Sequence, residues 1–354
     1  MPKHQPELIR AYILQGIDDN PRGIVSEAAG RFGVSRQAVL RHVRRLISDG
    51  QITFQGKTRD RRYRVVPLAQ ISLSIEVTPT LEEDIVWRQN LRPALQEVRE
   101  NVVAICQYGF TEMLRNVIDH SESDKAQIAL EYSPARIRIQ VVDFGVGIFD
   151  KIQATLRLAD PRDAILELAK GKLTTDPQRH TGEGIFFTSR MFDRFSILSG
   201  RLYFAHTEQD DDWLLEDEQP TPGTAVRMII SPRSSRTAQE VFDRFASAED
   251  YGFSKTHVPV TLARYGEENL VSRSQAKRLL VRFERFREIT LDFKGVSTIG
   301  QAFADEVFRV FAHEHPTVHL LPVNTSDQVR KMIARTASSE SSRDSGNVSP
   351  PTKT

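Results

Sequence analysis

The sequence predicts a multidomain α+β protein made of consecutive units. Three observations lead there. The chain has 354 residues, enough for two or three domains at roughly 100–200 residues each. Its charge is segregated: residues 1–66 hold 13 Lys/Arg against 6 Asp/Glu, a net of +7, although the whole chain is only +1. The apolar pattern also changes along the chain, from helices with a short hairpin, to long strands with glycine turns, to strand–helix alternation. With 39% hydrophobic and 27% charged residues, the chain has the composition of a soluble globular protein. Its apolar runs fall short of the roughly 18 residues of a membrane span, and MPKHQPELIR carries no apolar leader core. The single cysteine, Cys106, excludes an intramolecular disulfide framework and a multi-cysteine zinc site. These features point to a cytoplasmic protein that makes no membrane contact.

Residues 1–66 form the first unit. Leu8, Ile9, Tyr12, Ile13 and Ile17 recur at helical spacing over Glu7–Ile17. A second helix starts near Ser26 and closes at Gly33. Ser35 caps a third, SRQAVLRHVRRLISDG. There Val39, Leu40, Val43 and Leu46 face inward, and Arg36, Gln37, Arg41, Arg44 and Arg45 face outward. The following QITFQGKTRDRRYRVV reads as a hairpin with a basic tip of Lys57, Arg59, Arg61 and Arg62. The segment resembles the winged helix-turn-helix domains of bacterial transcription regulators. That resemblance implies DNA binding, with the third helix in the major groove and the hairpin on phosphates. A bland alternative is a winged helix used for protein contacts.

Residues 67–235 carry the chemistry. On a long helix, Glu112 and Asn116 share a face one turn apart, followed by Asp119 and His120. Two strand-like segments follow, the second ending in Asp143-Phe144-Gly145-Val146-Gly147. Further on, HTGEGIFFTSRMFDRF places Gly182 and Gly184 at a helix start. Strands near FSILSG and RLYFAHT come next, then an acidic loop, EQDDDWLLEDEQ, and Pro222-Gly223-Thr224 opens AVRMIIS.

Each piece alone is a weak signal. In this order they resemble the GHKL (Bergerat-fold) ATP-binding superfamily, and the His four residues after the Asn is most like anti-sigma-factor serine kinases and histidine kinases. The resemblance implies an α/β sandwich that binds ATP and Mg²⁺. Asn116 would ligate Mg²⁺ through its amide oxygen. Glu112 stands where hydrolytic members keep the group that orients water. Asp143 would accept a hydrogen bond from the adenine amino group, with Thr224 supporting it and Gly145 and Gly147 turning the backbone beside the base. Gly182 and Gly184 would let backbone N–H groups approach phosphates, and His120 would lie near them. Residues 148–181 would be a mobile lid. Asp119 reads as a helix-surface carboxylate, His120 stays open between a phosphate contact and a packed histidine, and Lys170 and Lys172 read as solvated lid residues. A homodimer is an expectation of the same resemblance.

Residues 236–337 alternate strand and helix, and LDFKGVSTIGQAFADEVFRVF resembles the STAS fold of anti-anti-sigma factors. The serine on which such proteins are phosphorylated is missing here, where the corresponding stretch is Gly300-Gln301-Ala302-Phe303, with Ser297 and Thr298 nearby. The unit therefore reads as a docking module for a protein partner, with Asp305, Glu306 and Arg309 on the polar face of its helix. Residues 338–354 read as a disordered Ser/Pro-rich tail. Three functions stay open: an ATP-binding regulator whose nucleotide state, with slow hydrolysis, controls DNA binding or partner docking; an anti-sigma-type serine/threonine kinase acting on a separate STAS-like partner; and a non-enzymatic nucleotide-bound scaffold. Hydrolysis is preferred over phosphotransfer.

Overall fold

The structure, a computed structural model, describes residues 6–57, 60–173, 182–207, 213–246, 252–265 and 268–344. It is multidomain and mixes helices with sheets. Among the described residues there are three sheets, of two, five and three strands.

The first unit packs α1 (Pro6–Gly16), α2 (Ile24–Phe32) and α3 (Arg36–Ser48) around Ile9, Ile13, Ile17, Ile24, Ala28, Val39, Val43 and Leu46. Leu8, grouped with the apolar positions in the sequence, is 55% exposed, whereas Leu14 is buried. α2 starts two residues earlier than expected. There Asn20 Oδ1 accepts from Gly23 N at 2.8 Å and organises the turn. Gly33 ends α2 at φ +62, a conformation that costs glycine little. Ser35 Oγ accepts from Ala38 N at 3.2 Å. Ser35→Ala should therefore lower unfolding free energy by about 1 kcal/mol in a denaturant titration. β1 (Ile52–Gln55) and β2 (Arg62–Val65) form the antiparallel hairpin, with Phe54 opposite Tyr63. The unit rests on the body through two acidic residues in the α1–α2 connection: Asp18 pairs with Arg136, and Asp19 with Arg194 at 3.3 Å.

The middle unit is an antiparallel sheet in the order β3-β4-β5-β7-β6. The strands are β3 (Ala69–Glu76), β4 (Lys125–Tyr132), β5 (Ile137–Asp143), β6 (Arg194–Thr207) and β7 (Trp213–Ile230). β3 was not anticipated, although Ile71, Leu73 and Ile75 alternate with polar residues. Helices cover one face: short α4 (Glu83–Val86), α5 (Glu100–His120), α6 (Ile148–Leu156), α7 (Arg162–Lys170), α8 (Gly184–Met191) and α9 (Ala238–Phe245). Ile128, Leu130, Ile139, Val141, Ile197 and Met228 are buried beneath them, while alternate residues such as Gln70, Ser72 and Gln127 are exposed.

Three expectations change here. The acidic loop is partly strand: Leu202 pairs with Glu216 and Phe204 with Leu214, because the long β6 needs a partner along its length, while 208–212 lie outside the described residues. The lid is not one mobile stretch, because α6 and α7 occupy most of 148–170 and bury Phe149, Ile152, Ala164, Ile165 and Leu166; residues 174–181 lie outside the described residues. The boundary at 235/236 moves toward the C-terminus. α9 belongs with the middle unit: Phe242 packs edge-on against Tyr108 and Phe187, and Asn101 Nδ2 donates to the carbonyls of Ser234 and Arg236.

The third unit is a parallel sheet in the order β10-β9-β8 (β8 Lys255–Pro259, β9 Glu288–Asp292, β10 His319–Val323). Its helices are α10 (Arg273–Leu280), α11 (Gln301–Asp305) continuing through a π turn into α12 (Ala312–Glu314), and α13 (Asp327–Asp344). α10 ends at Leu280, and Arg282, two residues on, adopts φ +65. α13 runs past residue 337, since no Pro or Gly interrupts it before Gly346. The helix thus extends over 338–344, which the sequence places in the tail, and residues 345–354 lie outside the described residues.

Candidate functional site

A cavity of about 420 Å³ opens between α5, the end of β5, α6, the ends of α7 and α8, and β7. Seven of the residues selected from sequence line it: Glu112, Asn116, His120, Asp143, Gly182, Gly184 and Thr224. α5 supplies the first three, because positions 112, 116 and 120 are successive turns of one face. Met113, Val117, Val141, Val146, Ile148, Ile152 and Val226 make the rest of the wall largely apolar.

Asp143 ends β5 and is 3% exposed. Its Oδ1 accepts from Gly145 N at 3.1 Å and Thr224 N at 3.2 Å. Both backbone bonds fall on one oxygen, so Oδ2 is available to a donor in the cavity. Burial raises its pKa above the usual carboxylate range, and the two backbone N–H groups work against that. Thr224 Oγ1 in turn accepts from Ile148 N at 3.1 Å, and Ser199 Oγ donates to Gly223 O at 2.8 Å. Gly145 and Gly147 do not line the cavity. They make the turn that shapes it: a Cβ at Gly145 would collide with the Ser121 carbonyl, which accepts from Val146 N at 2.6 Å.

At the other end, Gly182 adopts φ +73 and its carbonyl accepts from Leu173 N at 3.0 Å. Gly184 opens α8, where a Cβ would collide with the Glu112 carboxylate. Glu112 and the N-terminus of α8 are thus neighbours, and a helix N-terminus favours negative charge. Asp119 does not line the cavity and sits 3.9 Å from Arg115. Lys170 is fully buried rather than solvated, with its ammonium 2.6 Å from Glu167 Oε1. Lys172 Nζ donates to Arg285 O at 2.9 Å. Two cavity cations went unselected, Arg115 and Lys151. Lys151 Nζ donates to His120 O at 2.6 Å and Glu122 Oε1 at 3.2 Å; Arg115 bonds Glu83 at 2.6 Å. Neither lies at a motif position, so sequence offered no signal for them. Among the described residues no cluster of three His, Cys, Asp or Glu could hold a metal. Any divalent cation here would take one or two protein ligands, such as the Asn116 amide oxygen, and complete its shell from ligand oxygens, as Mg²⁺ commonly does.

The basic residues of the first unit form a second candidate surface. Arg36, Gln37, Arg41, Arg44, Arg45, Lys57 and Arg62 are all exposed, and Arg64 joins them on β2. Arg61 stacks on Phe54 at 4.3 Å, Arg36 donates to Ser26 Oγ at 2.5 Å, and Arg45 bonds Asp49 at 3.1 Å. Arg59 lies outside the described residues. In the third unit, Asp305 and Arg309 pair with each other at 2.5 Å, and Glu306 lies 3.8 Å from Arg273. Among the described residues, no helix is long and apolar enough to cross a membrane.

A search of curated proteins finds no match to the chain. Residues 275–330 match the family model described as a STAS-like domain of unknown function (DUF4325), so the third unit carries a STAS-like domain.

Proposed function

We propose that the protein is an ATP-binding regulator, with the nucleotide in the middle unit's cavity and DNA on the first unit. The observation that carries this reading is the convergence of Glu112, Asn116, Asp143, Gly184 and Thr224, distant in sequence, on one mostly apolar cavity. An apolar slot with a buried carboxylate at its end suits adenine: the ring is flat and apolar, and its amino group would donate to Asp143 Oδ2. The triphosphate would extend toward Gly182 and the N-terminus of α8, with Asn116 ligating Mg²⁺. Glu112, beside that helix end, would orient a water for slow hydrolysis. The order of the sheet, with helices on one face, supports a GHKL-type unit. The three helices and basic hairpin of the first unit support a winged helix-turn-helix, whose phosphate contacts would come from Arg44, Lys57 and Arg62 and whose base contacts would come from Arg36 and Gln37.

The test is incubation of the chain with γ-labelled ATP and Mg²⁺, with Glu112→Ala in parallel. Free phosphate that disappears in the variant is the expected result; label that stays on ATP in both overturns hydrolysis. The STAS-like match favours a second reading, kinase action on a separate STAS-like partner, which label on protein would identify. For DNA, Arg44→Ala and Arg62→Ala should each weaken binding across sequences and lower the salt slope by about 1. An unchanged slope in a salt titration would remove those residues from the interface.

A further inference from the structure

The third unit grips the backbone from which one wall of the cavity extends. α7 ends at Lys170, and Leu168 and Leu173 on either side of that end both line the cavity. The last carbonyls of a helix have no partner within it. Here Gly171 N caps Leu168 O, and the carbonyls of Lys170 and of the two residues beyond it are satisfied from the third unit. Thr256 Oγ1 donates to Lys170 O at 2.7 Å. Arg282 Nη2 donates to Gly171 O at 2.9 Å and to Lys172 O, while its Nη1 donates to Glu167 Oε2 at 2.9 Å. In the opposite direction, Lys170 Nζ donates to Val281 O at 2.9 Å. Glu167, Lys170 and Arg282 are all buried. Phe253 adds ring contacts to Phe186 and Phe187 of α8 at 4.7 and 5.0 Å.

We propose that Arg282 is a positioning residue for the nucleotide site, through which the STAS-like unit sets nucleotide affinity. The inference rests on the nucleotide reading above. The guanidinium fork fixes residues 171 and 172. The next residue, Leu173, donates its N–H to Gly182 O, and Gly182 lies two residues before α8. The path from Arg282 to the end of the cavity nearest Glu112 is therefore a short run of hydrogen-bonded backbone. A partner that moves α10 and the turn after it would move that end of the cavity. By reciprocity, a ligand that prefers one placement of that end must tighten the third unit by the same factor.

The experiment is an ATP–Mg²⁺ titration of the full chain by calorimetry, with two variants. Arg282→Lys keeps a charge beside Glu167 but cannot span both carbonyls. Tyr265→Phe removes a 2.8 Å bond to Asp163 on the same seam, at the other end of α7, and leaves those carbonyls alone. Arg282→Lys should weaken ATP about tenfold, within the usual range of coupling between linked sites, while Tyr265→Phe stays within about twofold. Equal weakening in both variants, or none in Arg282→Lys, overturns the proposal. Should Arg282→Lys fail to fold, amide exchange on the wild-type chain decides: ATP should slow exchange across 255–292, and unchanged exchange there overturns the proposal. Absence of ATP binding by the wild-type chain instead overturns the nucleotide reading itself.

Discussion

Asp143→Asn should lower ATP affinity by about 10–100-fold while leaving the ligand-free protein as stable as before, or more so. The affinity term follows from a hydrogen bond to a charged acceptor, worth about 1.5–3 kcal/mol, at about 1.4 kcal/mol per tenfold. The stability term follows from burial. Asp143 has a raised pKa because desolvation disfavours its ionised form. The folded state then holds this proton more tightly than the unfolded state, so the group's contribution to stability falls as pH rises through its folded pKa. Above that folded pKa the ionised carboxylate is a net cost. Asparagine keeps an Oδ1 for Gly145 N and Thr224 N but presents an amide donor in place of an acceptor. A melting curve and an ATP titration on one preparation read both effects. Wild-type affinity in the variant would remove Asp143 from the binding site.

Lys170→Ala should be among the most damaging single substitutions, lowering unfolding free energy by about 3–5 kcal/mol. Removing one partner of a buried ion pair leaves the other charged and less well compensated. Here it also strips a donor from the carbonyls of Val281 and Arg278. Burial lowers the Lys170 pKa to about 8 from 10.5, with the attraction of Glu167 acting against that. Between those two values the unfolded state binds more protons, so this group's contribution to stability increases with pH. Urea titrations at successive pH values should therefore show the wild type gaining on Lys170→Met from about pH 8 upward. A constant difference between the two would mean that the ammonium is hydrated in the folded protein.

The first unit was legible because its signals are local. Ser35 bonds its own helix, Gly33 ends the one before it, and the apolar stripe of α3 has helical spacing. The cavity was legible in part. Glu112, Asn116, Asp143, Gly184 and Thr224 each stand in a short motif, and their order along the chain foretold their meeting. What could not be read was the seam. RDAILELAK looks like a polar lid helix because it holds Asp163, Glu167 and Lys170, yet their partners Tyr265, Arg278 and Arg282 lie about a hundred residues away. Burial of charge depends on such distant partners, and no window of sequence contains both sides. β3 is a different case, since its alternation was present in the residues. The 18-residue length of β7 reflects pairing with β6 more than its own composition.

The way the first unit sits on the body has an electrostatic consequence. Two of its few acidic residues, Asp18 and Asp19, are turned inward against Arg136 and Arg194. Its arginines on α3 and the hairpin point outward. The unit therefore carries a permanent charge dipole, negative toward the body and positive toward solvent. Exposed Glu27, Asp49 and Asp60 offset part of that positive side, and on the DNA reading proposed above the remaining excess would draw a polyanion toward it. The inward pole is an ion-pair latch whose grip weakens as salt screens it. Raising ionic strength would thus weaken the outward field and loosen the unit's seat on the body together.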